Sequence, residues 1–333
     1  MNTGRQKEFR RNTDLETLLA ELNGLLAPVE QEIIATKTKP AYPVVLIVGA
    51  PRSGTTLLMQ WLAGLNYFAY PSNLLSRFYG CPYIGAKIQR LLLDPKFNFN
   101  DEFSDFGGKI DFSSNLGKTQ GILSPNEFWY FWRRFFSFGE IQYLDKQRRA
   151  QVNSKSFLAE LAALEAAFEK PFAMKGMIIN WNIPFVAEIL KKVLFIYVYR
   201  EPQHNAQSLL QARVKFFGTE ESWYSFKPPE YSELQDLPAV EQVCGQVHYT
   251  NRAIREGLRR VDSSKWIETS YEEFCTAPGR LFSQIKEKFS RQGYEVGWDY
   301  KGPRSFESTN RNKFPQARVE KIIAAGKKFP GPA

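Results

Sequence analysis

The chain has 333 residues, 44 lysines and arginines against 35 aspartates and glutamates, and a formal net charge of +9. Apolar residues at 43% and charged residues at 24% give an ordinary globular composition, which excludes a disordered or fibrous chain. No apolar run approaches the roughly 18–20 residues of a membrane span. The positive charge points to a nucleotide, an anionic lipid or an acidic glycan, or to a solvated basic surface, and its spread without a basic arm argues against nucleic acid.

The first eleven residues are polar and lack the apolar centre of a signal peptide. Cys81, Cys244 and Cys275 lie far apart, and the two histidines, His204 and His248, have no cysteine or second histidine nearby. This pattern offers no metal-ligand spacing and reads as reduced, packed thiols in a cytoplasmic protein.

Residues 14–27 place Leu15, Leu18, Leu19, Leu22, Leu25 and Leu26 at helical spacing, so the first element is an amphipathic helix that docks on the body or on a second copy, as in a homodimer. Pro40 and Pro43 then bracket a linker. The apolar run 44–48 reads as a buried parallel strand. It leads through Gly49-Ala50-Pro51-Arg52-Ser53-Gly54-Thr55-Thr56 into a helix.

Residues 94–126 read as a loop or lid, and Phe128-Trp129-Tyr130-Phe131-Trp132 as a stretch with more rings than one helix face can hide. Some of these rings are therefore expected in an acceptor pocket, with Arg77, Arg133 and Arg134 able to attract an acidic acceptor. Further along come a helix at 155–169, a strand at 172–175, a helix near 184–191, a strand at 193–199 and a helix at 203–217. An acidic, proline-bearing surface insertion (218–237) precedes a helix at 240–260 and a strand at 266–269. From Lys301 the chain is basic and weakly periodic, and it ends in a Pro/Gly tail expected to fray.

Strands alternating with helices predict an α/β fold: one P-loop-like domain with a central parallel sheet flanked by helices, plus helical and loop insertions that cover the substrate. The boundaries are an N-terminal helix and linker (1–40), a main domain (41–315) and a tail (316–333).

A buried strand that ends in a glycine turn and opens a helix is a phosphate cradle, because backbone N–H groups and the positive helix end converge on an anion. Gly49 and Gly54 have P-loop spacing, yet Thr55 stands where a P-loop nucleotidase needs lysine. The cation in the turn is Arg52, and the strand 193–199 runs into Arg200, with no strand-ending aspartate to hold magnesium. Such a turn suits an anion handled by hydroxyls, backbone and a guanidinium, without an obligatory metal. A nucleotide-dependent kinase or NTPase and a non-catalytic binding module remain the alternatives.

Pro51-Arg52-Ser53-Gly54-Thr55-Thr56 resembles the 5′-phosphosulfate loop of sulfotransferases that use 3′-phosphoadenosine-5′-phosphosulfate (PAPS), in the arginine form found in the Golgi tyrosylprotein branch and many bacterial members. The family's second motif is a strand-ending arginine with a serine eight positions later, which together bind the 3′-phosphate; Arg200 and Ser208 match it. Tyr271-Glu272-Glu273-Phe274 is similar to a third segment, whose tyrosine lies by the adenine. Arg311 and Lys313 fall where a basic terminal loop closes over the 3′-phosphate. The resemblance implies sulfuryl transfer from PAPS to an acceptor hydroxyl without a metal. Arg52 would stabilise charge, Ser53, Gly54, Thr55 and Thr56 would orient the group, and Lys175 would assist. The acceptor is expected to be a carbohydrate or glycolipid, with other small molecules and proteins as alternatives. Plainer readings are a salt bridge from Arg200 to Glu201 and an ordinary helix serine at 208.

The family's catalytic histidine is missing: Lys175-Gly176-Met177 stands in place of Lys-Thr-His. The glutamate that the Golgi branch carries after the loop is also missing, since Pro71-Ser72-Asn73 occupies that region. The base is expected to be Glu127, which precedes an aromatic stretch able to desolvate it, with Asp105 and Asp111 next in line. The plain reading of Glu127 is a helix-start carboxylate near a Ser124 cap.

Overall fold

Five consecutive apolar residues, Val44–Val48, form β1, and every one is buried. A strand buried on both faces has no solvent side, hence the continuous run. In the computed structural model, which describes residues 4–98, 100, 102–103, 112, 114 and 117–329, β1 pairs in parallel with β2 (Ala173–Lys175) and with β3 (Val193–Tyr199). β3 in turn pairs with β4 (Trp266–Ser270). The strand order is β2-β1-β3-β4, so the two strands that lead into the glycine turn and Arg200 are neighbours at the centre of the sheet.

Side chains alternate across the pleat. Val44, Leu46, Val48, Phe195 and Tyr197 face one core with Trp132, Phe157, Leu161 and Val186. These come from α4 (Trp129–Phe135), α6 (Ser154–Phe168) and α7 (Ile183–Leu190). Val45, Ile47, Leu194, Ile196 and Val198 face the other core with Leu58, Leu62, Phe274 and Phe289, from α2 (Thr55–Gly64), α11 (Tyr271–Thr276) and α12 (Pro278–Arg291). The expected parallel sheet covered on both faces is what the chain builds. Among the described residues no helix is long and apolar enough to cross a membrane.

The basic C-terminal segment, weakly periodic in sequence, contains a further helix ahead of its Pro/Gly end. Gln316–Gly326 forms α13, and its Val319, Ile322 and Ala325 are buried. Ile322 and Ala325 pack against Leu209, Leu210, Val243 and Val247 of α8 (Pro202–Phe217) and α10 (Ala239–Leu258). Three apolar positions spaced i, i+3, i+6 make a narrow stripe that two neighbouring helices are enough to bury.

The first helix, α1 (Thr13–Ile34), docks on the body, but less through its leucines than expected. Leu18 and Leu25 are 60% and 69% exposed. The attachment is largely polar: Asn23 accepts a hydrogen bond from the Gly80 amide at 2.6 Å and donates to the Arg77 carbonyl at 2.8 Å. Glu30 accepts from the amides of Tyr83 and Ile84 at 2.7 and 3.0 Å, in the first turn of α3 (Pro82–Leu93). Burial raises the Glu30 pKa to about 7 against the opposing pull of those two amides.

Because its folded-state pKa lies above the unfolded one, the Glu30 contribution favours folding below the unfolded carboxylate range and is lost as pH rises through about 7. Urea unfolding should show wild-type stability falling by roughly 2–3 kcal/mol from this group between pH 4.5 and 8. In Glu30→Gln that component of the pH dependence should vanish. An unchanged pH slope in the variant would contradict the assignment.

Candidate active site

The turn after β1 is built around two glycines that admit no side chain. A Cβ on Gly49 would sit 2.5 Å from the Val198 carbonyl, and one on Gly54 would sit 2.5 Å from the Tyr271 ring. Arg52 (φ 70°) and Gly54 (φ 102°) both adopt the left-handed region, which is costly for arginine and easy for glycine. Two buried amides, neither evident from the sequence, brace the turn. Asn180 donates to the Gly49 carbonyl at 2.9 Å and accepts from its N–H at 3.4 Å. Asn205 donates to the Pro51 carbonyl at 2.6 Å.

Gly54 is the N-cap of α2 and supplies no capping side chain. The first-turn N–H groups are therefore left for an anion, at the positive end of the helix dipole. Ser53 does not turn its hydroxyl to the cavity. Its side chain is fully buried, its hydroxyl has no partner among the described residues, and its amide donates to Ala50, so it lies beneath the turn and off the cavity wall. Thr55 donates to the Met177 sulfur at 3.3 Å, whereas Thr56 accepts from Lys175.

Beside the turn lies a cavity of about 620 Å³, whose lining includes Arg52, Gly54, Thr55, Thr56, Arg200, Ser208, Tyr271, Arg311 and Lys313. The Arg52 Nε donates to the Ser208 hydroxyl at 3.2 Å. Arg200 is 5% exposed and donates to Asn310 at 2.7 Å, Thr309 at 3.1 Å and the Arg52 carbonyl at 3.3 Å. Its guanidinium lies 4.7 Å from the centre of the Tyr271 ring, and the Tyr271 hydroxyl meets that of Thr309 at 3.1 Å.

The salt bridge from Glu201 to Arg200 is not made; Glu201 faces His204 at 3.1 Å. Among the described residues no carboxylate forms an ion pair with Arg52, Arg200, Arg311 or Lys313. Burial lowers the pKa of Lys313, and Arg200, Arg52 and Arg311 lower it further. Burial also pulls Arg200 below the usual arginine value. Cations that repel one another in a half-buried recess are stabilised by a multiply charged anion.

Next to Thr56, Lys175 ends β2 with a side chain only 3% exposed. Its Nζ donates to the Thr56 hydroxyl at 2.7 Å and to the Glu127 carboxylate at 3.1 Å. Glu127 lines the cavity with its side chain 30% exposed. The carboxylate is not a helix cap, since the N-cap of α4 is Phe128 at φ 56°. It is delivered by a braced turn in which Asn126 donates to the Pro71 carbonyl at 2.7 Å and to the Asn73 side chain at 2.9 Å. The Pro71-Ser72-Asn73 segment, which lacks the glutamate of the Golgi branch, here supports the turn that carries Glu127. Asp105 and Asp111 lie outside the described residues.

Of the aromatic stretch, Phe128, Phe131 and Trp132 are buried in the core, and Trp129 reaches the cavity. Arg134 is not available to an acceptor: it grips the fully buried Glu160 in a bidentate pair at 2.6 and 2.7 Å. Neither Arg77 nor Arg133 lines the cavity. The segment 218–237 is more than a surface insertion, because Tyr224, Ser225 and Phe226 wall the cavity next to Glu127 and Trp129. The signal that could have revealed them is the run Trp223-Tyr224-Ser225-Phe226, unusually aromatic within an acidic, proline-bearing stretch.

Among the described residues no group of three or more histidines, cysteines, aspartates or glutamates is arranged to hold a metal ion.

A model of the family described as "Sulfotransferase family" matches residues 43–292, most of the chain. The crystal structure of sulfotransferase STF9 from Mycobacterium avium superposes with a TM-score of 0.56 at 14% identity, covering 99% of this chain and 88% of that one. That of sulfotransferase STF1 from Mycobacterium tuberculosis H37Rv gives 0.47 at 13% identity, covering 93% and 82%. At such identities the first likeness is one of fold, and the second is too weak to add to it. No curated protein sequence matches the chain. The family match over a domain with this sheet and this glycine turn places the chain in the sulfotransferase family.

Proposed function

We propose that this enzyme transfers a sulfuryl group from PAPS to the hydroxyl of a small acceptor, on a carbohydrate or glycolipid, without a metal. PAPS supplies the sulfuryl group and presents two anionic ends, a 5′-phosphosulfate and a 3′-phosphate. The observation that carries the reading is the set of four cations without carboxylate partners beside the uncapped end of α2.

In this reading the first-turn amides of α2 and Arg52 receive the phosphosulfate, where a fixed guanidinium and backbone dipoles stabilise charge that builds up during transfer. Arg200, Ser208, Arg311 and Lys313 receive the 3′-phosphate, for which an arginine fork is well shaped. Tyr271, stacked under Arg200, borders the adenosine. Glu127 removes the proton of the acceptor hydroxyl, and Lys175 holds that carboxylate and Thr56 in one arrangement. Three free, buried cysteines support a cytoplasmic setting.

Competition binding with adenosine 3′,5′-bisphosphate and adenosine 5′-monophosphate tests the reading. The bisphosphate should bind more tightly, and Arg200→Ala should weaken it by roughly 1–3 kcal/mol while changing the monophosphate much less. An equal loss for both ligands would remove Arg200 from the 3′-phosphate.

A further inference from the structure

Among the described residues the cavity is lined by four cations and two carboxylates, Glu127 and Glu307. Arg52, Arg200, Arg311 and Lys313 belong to the donor side in the reading above. At the end lined by Trp129 and Phe226 the cavity carries the Glu127 carboxylate. Arg52 comes near it, since a Cβ on Gly117 would sit 3.8 Å from Glu127 and 3.9 Å from Arg52, and the other cations around it are already engaged. Lys175 is buried against Thr56 and Glu127, Arg134 holds Glu160, and Lys227 pairs with Glu140 while lying 3.8 Å over the Tyr231 ring.

The rest of that end is aromatic and built firmly. The rings of Trp129 and Phe226 meet edge to face at 5.2 Å, and Trp181 backs Phe226 at 6.4 Å. Gln246 donates to the carbonyls of Tyr224 and Phe226 at 2.9 and 2.8 Å, and the Trp223 indole donates to the Phe226 carbonyl at 3.3 Å. Between the two ring residues Ser225 is held at φ 70°, a left-handed conformation that persists only where the surroundings enforce it.

We infer that the acceptor is uncharged around its reacting hydroxyl and lays a ring face against Trp129 and Phe226, so that acidic saccharides are excluded. A carboxylate or sulfate beside that hydroxyl would stand next to Glu127 in a half-buried recess whose cations are already engaged by Glu127, Glu160, Glu140 or the donor, and like charges there repel. A neutral ring, whether an aryl group or the C–H face of a sugar, loses little on desolvation and gains contact with two fixed aromatic rings. The inference rests on the donor reading only in giving Arg52 to the phosphosulfate.

The test is a matched pair of probes, 2-naphthol and 3-hydroxy-2-naphthoate, whose carboxylate adjoins the hydroxyl, titrated by fluorescence anisotropy with and without adenosine 3′,5′-bisphosphate. The naphthol should bind at least tenfold more tightly than the naphthoate. Phe226→Ala should weaken naphthol about tenfold and leave bisphosphate affinity unchanged, which also shows that the variant is folded. Glu127→Gln should tighten the naphthoate about tenfold with little change for naphthol.

Equal or tighter binding of the naphthoate overturns the inference, as do no binding of naphthol and no response to Phe226→Ala. Failure of the bisphosphate to bind sinks the donor reading instead, and the comparison of the two probes on the unloaded protein still decides the acceptor end.

Discussion

Glu127→Gln should lower kcat by roughly 10²–10⁴-fold, the usual range for loss of a general base, while affinity for adenosine 3′,5′-bisphosphate stays within about twofold. Glutamine keeps the shape of the side chain and can still accept from Lys175, so the turn built from Asn126, Pro71 and Asn73 should survive. What disappears is the capacity to take a proton from a hydroxyl. Glu127 is well placed to do so, because its carboxylate faces the cavity and the ammonium of Lys175, fixed in turn by Thr56, sits 3.1 Å from Oε1. Steady-state kinetics with a fixed acceptor would read the loss. A Gln variant with unimpaired turnover would remove Glu127 as the base and direct attention to residues 104–116.

Arg52→Ala should lower kcat by roughly 10²–10³-fold, the scale for removing one fixed donor from a site of developing charge. The loss should exceed any change in bisphosphate affinity, because the product lacks the sulfuryl group whose transfer Arg52 is proposed to assist. The backbone is part of the expectation. Arg52 sits in the left-handed region at φ 70°, and alanine there inherits the strain without the hydrogen bond to Ser208, so some loss of thermal stability should accompany the loss of rate. Single-turnover measurements separate the two effects. A variant that transfers sulfuryl at the wild-type rate would contradict the charge-stabilising role.

What could be read from the sequence was what is encoded locally. β1 and β3 are continuous apolar runs because both their faces are covered, and Gly49 and Gly54 are conspicuous because the backbone around them leaves no room for a Cβ. Arg200 and Ser208 follow from one strand and the next helix, whose spacing is rigid.

What escaped depends on contacts between distant residues. Tyr224 and Phe226 owe their place to Gln246, some twenty residues away, and the acidic, proline-bearing flanks hid them. Arg134 looked free until Glu160, on another helix, took it. Asn180 carries no motif at all; only the fold brings its amide to Gly49. Ser53 shows the converse. It lies inside a recognisable loop, yet the twist at Arg52 and Gly54 turns its side chain inward.

The most direct single measurement is calorimetry of the wild-type protein with adenosine 3′,5′-bisphosphate in the presence of a chelator. Binding at least tenfold tighter than that of adenosine 5′-monophosphate, and undiminished by the chelator, is expected if two cationic recesses hold the donor. No heat with the bisphosphate, together with tight binding of magnesium–ATP by the same preparation, would show that the glycine turn serves a different nucleotide.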